Sequence, residues 1–351
     1  MIVASYVNYH RIVRFGWGWF WLLAAVAIIA ALKTPLAHSE LGATRWIKLG
    51  PVSFQAAEPI KAAIIIFFAY YVSYWGLNRW YNQLLACLLA IALLGFLFFF
   101  SNNLSTVIVL FCICAVIILS SVKKPDLYWY FLFGLALIII AAIFVTVYLL
   151  MHQGAENFRF VRIRAWLHPE EYAADEGLQA MQARYAIGAG GFWGKGLGQS
   201  LIKFKLSYSY NDFILAIICE ELGVFGVIVM MTLFGYLLYR IYKIAQNAWD
   251  IEGKVLAIGV FTQIALQLLI NVMVVTSVIP TTGVTLPFFS AGGTSVVFLL
   301  AELGMVLNVD KYAKERRFFE EAERHVAQME QRGGIGAAGW RRRLDSARTR
   351  R

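Results

Sequence analysis

The 351 residues are 60% hydrophobic and 15% charged, with a formal net charge of +10 and a mean hydropathy of +0.66. That balance excludes a soluble globular domain, and the crowding of charge into a few segments reads as an all-α polytopic membrane protein. Cys87, Cys112, Cys114 and Cys219 all fall inside apolar runs, where small buried hydrophobes are expected and neither a disulfide nor a metal site is suggested.

Runs able to cross about 30 Å of hydrocarbon, about 17 to 25 residues each, predict eight transmembrane helices, at 16–32, 58–77, 84–100, 104–122, 128–151, 213–239, 255–279 and 293–309. The first run lacks a cleavage-site signature and is read as an ordinary span. An even count puts both termini on one side. Arg11, Arg14, Lys123, Lys124, Arg240, Lys243, Lys311 and Lys314 at the turns assign that side to the cytoplasm. The long loops at about 33–57 and 152–212 then face outward.

The second span opens QAAEPIKAAII, with Glu58 and Lys61 three residues apart on one helical face. They form either a structural ion pair or, through Lys61, an anion-holding or acid-tuning group. The outer loop 152–212 is too long for a connector and carries Arg159, Arg162, Arg164, Arg184, Lys195, Lys203 and Lys205. In RFVRIRAW an extended backbone would put Arg162 and Arg164 on one face, suited to a phosphate or diphosphate, with lipid phosphates as the alternative ligand. The glycine run at 187–200 fails the phosphate-loop spacing, so no nucleotide is expected. It is read as a compact turn with Phe192 and Trp193 at headgroup level. His152 and His168 are expected to be solvated, and neither a His/Ser/Asp order nor a zinc signature is present.

The stretch KLSYSYNDFILAIICEELG opens the sixth span with Asp212, placed either to cap the helix or to do chemistry. Glu220 and Glu221 lie about 12 to 14 Å deeper at 1.5 Å per residue and are expected to link helices. Glu302, alone and deep in the last span, requires a partner. Residues 279–295, IPTTGVTLPFFSAGGTS, are expected to be non-helical backbone lining a polar cavity. The chain divides into a transmembrane domain, 1–309, and a basic cytoplasmic tail, 310–351, with twelve Lys and Arg against seven Asp and Glu. This tail is expected to lie on anionic membrane lipids rather than on nucleic acid.

NDFILAIICEELGVFG, GKGLGQSLIKF, QLLINVMVVTSVIPTTGVTLPFFSAGGTS and RWIKLGPVSFQAAEPIKAAI resemble the signature segments of the SEDS proteins, the FtsW/RodA/SpoVE family, in order and spacing over about residues 40–310. GLGQS is closer to the division and sporulation branch. The resemblance implies a peptidoglycan glycosyltransferase that polymerises lipid II, the undecaprenyl diphosphate-linked disaccharide peptide, at the outer face of the bacterial cytoplasmic (inner) membrane. It would serve cell division or cell-shape maintenance beside a class B penicillin-binding protein. Asp212 stands at the position of the family's proposed catalytic acid, as base or as ligand of a divalent cation, Mg2+ or Mn2+. Glu58 and Lys61 match the family's Glu and Lys, and with Arg162, Arg164 and Lys203 they form the expected substrate-binding set. Family members have ten spans, so the first two are expected to be missing. The family's Leu-Pro and His before the Asp are here Leu206, Ser207 and Tyr210; its Gln-Pro-Ser-Glu is Gln55, Ala56, Ala57 and Glu58; its Gln-Pro-Asp is Ser101, Asn102 and Asn103. Two other functions fit the same features: a lipid-linked precursor flippase relying on Glu302 and Glu220, and a non-catalytic scaffold for a penicillin-binding protein.

Overall fold

The computed structural model describes residues 1–35, 37–40, 43–49, 52–101, 103–122, 158–168, 171, 176–201, 212–290, 293–331 and 339–341. Numbered over these residues, the helices begin with α1 Ile2–Tyr6, α2 Tyr9–Val13, α3 Trp19–Ala31, α4 Ala57–Trp75, α5 Trp80–Ser101 and α6 Leu104–Ser121. They continue with α7 Phe158–Leu167, α8 Glu176–Gly190, α9 Ile214–Gln246, α10 Ile251–Val275 and α11 Gly293–Gln331. Five of them, α5, α6, α9, α10 and α11, are long and apolar enough to cross a membrane, and α3 is a shorter apolar helix. The protein is thus a multi-pass membrane protein.

The expected span at 128–151 lies outside the described residues. The expected first span is shortened to the 13 residues of α3. Gly16 and Gly18 both have positive φ, 59° and 76°, so regular helix cannot begin before Trp19. The loop at 33–57 departs from the all-α expectation. It holds an antiparallel sheet of β1 Ala37–Glu40, β2 Ala43–Leu49 and β3 Val52–Gln55, in the order β1-β2-β3. Along β2 the half-buried Trp46, buried Ile47 and exposed Lys48 follow the two-residue period of a one-sided strand. Strand β3 runs almost directly into α4 and so fixes where Glu58 and Lys61 begin that helix.

Helix α4 forms the centre. From Ala63 to Val72 every residue is buried, as expected of a helix apolar on all sides, and it packs against α3, α6, α10 and α11. A Cβ at Gly259 of α10 would fall 2.6 Å from Ile65 Cγ2, so a small residue there lets the two helices approach closely. By contrast α5 leaves Leu84, Leu85, Leu88 and Ile91 exposed, which is the lipid-facing side of an outer helix. Helix α11 continues unbroken through position 310 to Gln331. The short α1 lies along it, where Asn308 Nδ2 donates to the Ser5 carbonyl at 2.7 Å and Asn308 Oδ1 accepts from the Tyr9 amide at 3.0 Å.

Candidate functional site

Asp212 is half-buried at the mouth of α9. The capping position is Phe213, which makes no side-chain cap hydrogen bond, so Asp212 stands one residue outside the cap. Its position is set by Asn271, a fully buried side chain of α10. The Asn271 amide nitrogen donates to the Asp212 carbonyl at 2.9 Å and to the Val284 carbonyl at 3.0 Å. One side chain thus pins the start of α9 to the irregular crossing between α10 and α11. That crossing is non-helical as expected, with positive φ at Ser277, Gly283 and Phe288, and Ser105 Oγ donates to its Thr282 carbonyl at 2.9 Å.

The outer-loop helices dock on the same crossing. Trp166 Nε1 of α7 donates to the Ser277 carbonyl at 2.8 Å, and Arg184 Nε of α8 donates to Ser277 Oγ at 3.0 Å. Arg162, Trp166, Arg184, Val274, Ser277 and Thr281 line a recess there. The stretch RFVRIRAW is helical, not extended. Residues two apart on a helix point to different sides, so Arg162 meets Arg184 in the recess while Arg164 is not among its lining residues. Lys203 lies outside the described residues.

Glu220 does not link helices; it anchors the glycine loop. Its Oε1 accepts from Lys195 Nζ at 2.8 Å and from the Leu201 amide at 3.3 Å, and its Oε2 accepts from Ser200 Oγ at 2.5 Å. Beside it, α9 is broken at Gly223, with φ 67° and ψ −172°, a conformation open essentially to glycine alone. The backbone groups released by the break are satisfied by the loop. The Lys195 and Gly196 amides donate to the Glu220 and Glu221 carbonyls at 3.0 and 2.9 Å, and the Val224 and Phe225 amides donate to the Gly191 and Phe192 carbonyls at 3.0 and 3.1 Å. Phe192 and Trp193 are exposed at the tip, as expected of an interfacial turn.

Deeper in the bundle, Lys61 Nζ donates to Glu58 Oε1 at 2.7 Å with both side chains 3% exposed. The ion pair is therefore formed, and it is buried. Both groups lie within electrostatic reach of Glu302, whose Oε2 accepts from Gln263 Nε2 at 2.9 Å. Gln263, Gln267 and Asn271 recur every fourth residue on one face of α10 and are all buried. Glu58 Oε2, Gln263 Oε1, Gln267 Oε1, Asn271 Oδ1 and Glu302 Oε1 are buried without a hydrogen-bond partner. They form a polar seam inside an apolar bundle. Sequence reading missed Asn271 and both glutamines; the available signal was three amides at helical spacing in an otherwise apolar run.

The FtsW/RodA/SpoVE family model, described as cell cycle protein, matches residues 1–315. The chain is 37% identical over 276 residues to stage V sporulation protein E of Bacillus subtilis (strain 168), covering 78% of this chain and 73% of the relative. It is 33% identical over 301 residues to the probable peptidoglycan glycosyltransferase FtsW of the same organism, covering 84% and 73%. Its fold is similar to that of a chain solved in a peptidoglycan synthase complex, with a TM-score of 0.70, 24% identity, and 88% and 84% coverage. It is also similar to the rod shape determining protein RodA of Thermus thermophilus, with a TM-score of 0.60, 23% identity, and 88% and 82% coverage. With a family match covering residues 1–315 of 351, the chain belongs to the FtsW/RodA/SpoVE family.

Proposed function

We propose that the chain is a peptidoglycan glycosyltransferase that polymerises lipid II beside a class B penicillin-binding protein. In this reading the Asp212 end faces outward from the bacterial cytoplasmic membrane, both termini are cytoplasmic, and residues 310–351 form a basic tail on the inner surface. A hydroxyl of one lipid-linked sugar attacks the anomeric carbon of another, the new glycosidic bond forms as the bond to the polyprenyl diphosphate breaks, and the hydroxyl proton goes to Asp212. Arg162, joined by Arg184 rather than Arg164, supplies positive charge for the departing diphosphate. Lys203 remains a proposed contributor from the same loop. Glu58 and Lys61 act as a buried pair beneath the site, setting the electrostatics of the seam.

Among the described residues, Asp212 joins no set of three or more His, Cys, Asp or Glu donors. One carboxylate nevertheless fits Mg2+ or Mn2+ when substrate phosphates supply the other oxygens. Such an ion would neutralise charge on the leaving diphosphate.

The observation that carries the proposal is the anchoring of Asp212 by Asn271 at the mouth of α9, beside the arginine recess. Purified protein, with and without its penicillin-binding partner and a divalent cation, is incubated with labelled lipid II and the products resolved on a gel. Asp212→Asn is expected to abolish polymer while the protein stays monodisperse and binds its partner; polymer formation by that variant would overturn the assignment. The polar seam at Gln263, Gln267 and Glu302 favours the flippase as a second reading. That reading requires lipid II translocation by the purified chain without joining, lost in Glu302→Gln and retained in Asp212→Asn.

A further inference from the structure

The end of the molecule opposite Asp212 carries a second group of converging side chains. Asp250, which caps α10, and Glu252 in its first turn meet α2, where His10 Nε2 lies 2.7 Å from Asp250 Oδ2 and 3.8 Å from Glu252 Oε2. One donor atom from each of the three side chains lies within 4.8 Å of the other two. The remaining polar atoms of the three side chains are already engaged. Asp250 Oδ1 accepts from Tyr9 Oη at 2.8 Å and from the Gly253 amide at 3.0 Å. Glu252 Oε1 accepts from Arg14 Nε at 2.9 Å and from Ser73 Oγ at 3.0 Å. His10 Nδ1 lies 3.0 Å from Asn8 Oδ1 and Nε2 lies 2.7 Å from Asp250 Oδ2, both acceptors, so without a cation Nε2 donates to Asp250; a metal ion would take the place of that Nε2 proton while Nδ1 keeps its bond to Asn8. Glu252 is 3% exposed, and its Oε2, the atom aimed into the group, has no hydrogen-bond partner. A buried carboxylate oxygen left in this state is costly, and a cation relieves it.

We propose that His10 Nε2, Asp250 Oδ2 and Glu252 Oε2 bind a divalent transition-metal ion of the zinc or manganese class. One imidazole and two carboxylates suit these ions, whereas Mg2+ prefers an all-oxygen shell with several waters. Each ligand is oriented by an outer hydrogen bond of the kind that fixes metal ligands elsewhere: Asn8 on His10, Tyr9 and Gly253 on Asp250, Arg14 and Ser73 on Glu252. Metal–ligand bonds of about 2.0 to 2.2 Å set donors about 3 to 3.5 Å apart, so the shorter contact opens slightly and the longer one closes. The His10 and Asp250 side chains are 17% and 24% exposed, which gives the ion a path in and leaves room for water to complete the shell. Arg14 is the adverse charge, but it holds the far oxygen of Glu252 and its side chain is 63% exposed, so solvent screens it. The bound ion would join α2 to the start of α10 and, through Ser73, to the end of α4. The direct hydrogen bond between His10 and Asp250 is the competing arrangement, and it leaves Glu252 Oε2 beyond hydrogen-bond distance, 3.8 Å from His10 Nε2.

The full chain, carrying Asp212→Asn so that the proposed catalytic carboxylate contributes no ligand, is reconstituted in lipid nanodiscs, stripped with chelator, and titrated with Zn2+ or Mn2+. One zinc per chain is expected to survive desalting, with a raised thermal midpoint. Pulsed electron paramagnetic resonance of the manganese form is expected to show coupling to an imidazole nitrogen. His10→Asn and Glu252→Gln are each expected to weaken binding by about tenfold or more. Absence of retained metal, absence of the nitrogen coupling, or affinity unchanged in both variants would overturn the site. Should the variants fail to fold, the nitrogen coupling is read in a chain whose other four histidines, His38, His152, His168 and His325, are replaced by Gln, and its absence there would overturn the site.

Discussion

Asn271 donates both amide hydrogens to carbonyls of non-helical backbone, so its loss leaves two carbonyl oxygens without donors. At about 1 to 3 kcal/mol for each orphaned group, Asn271→Leu is expected to lower stability by about 2 to 6 kcal/mol, read as a falling thermal midpoint, and to reduce lipid II polymerisation with it. Asn271→Asp, nearly the same shape but without the donors, should fall alongside; a variant that kept both stability and polymerisation would remove Asn271 from the site. For the buried Glu58–Lys61 pair, Glu58→Gln strands an ammonium in the interior and is expected to cost about 3 to 5 kcal/mol. Adding Lys61→Met should recover most of that loss, and an unfolding midpoint that failed to recover would show that the two charges do not compensate each other. This pair was legible because its members are three residues apart on one helix. Asn271 with Asp212, 59 positions apart, and His10 with Asp250, 240 apart, were not, because local spacing carries no record of which helices meet.

The break in α9 belongs to the scale of the element. Hydropathy alone reads residues 213–239 as one continuous span, and the glycines at 187–200 as a separate turn. In the fold they are one unit, because the loop supplies the hydrogen bonds that the broken helix lacks. Gly223→Ala meets two obstacles: a backbone conformation costing about 1 to 3 kcal/mol for other residues, and a Cβ that would collide with Phe192 O and Gly194 N. It is expected to release the loop, seen as faster tryptic cleavage at Lys195. Lys195→Met removes one ligand of Glu220 and leaves the backbone bonds, so its effect on cleavage elsewhere in the loop should be smaller. Equal effects would place the anchor in the side chains rather than the backbone. The helical form of RFVRIRAW was likewise hidden: alternating bases fit a strand as well as a helix, and contact with Ser277 and the recess selects the helix.

Across the whole molecule, the membrane architecture was legible from hydropathy, because a bilayer imposes length and apolarity on each span. The sheet at 37–55 was not, since its strands are four to seven residues long with few alternating positions. Nor was the return of the N-terminal segment onto the last span. A Cβ at Gly304 would lie 2.6 Å from Ala4 Cβ and from the Met1 carbonyl, so Gly304→Leu is expected to lift α1 away and expose residues 1–14 to protease, while a segment that stayed protected would deny that this contact holds it. The docking also orders events during synthesis. Asn308 bonds to the Tyr9 amide 299 positions earlier and to the Ser5 carbonyl 303 positions earlier. At about 5 to 20 residues per second, the Ser5 carbonyl and the Tyr9 amide wait about 15 to 60 s for Asn308 to be made.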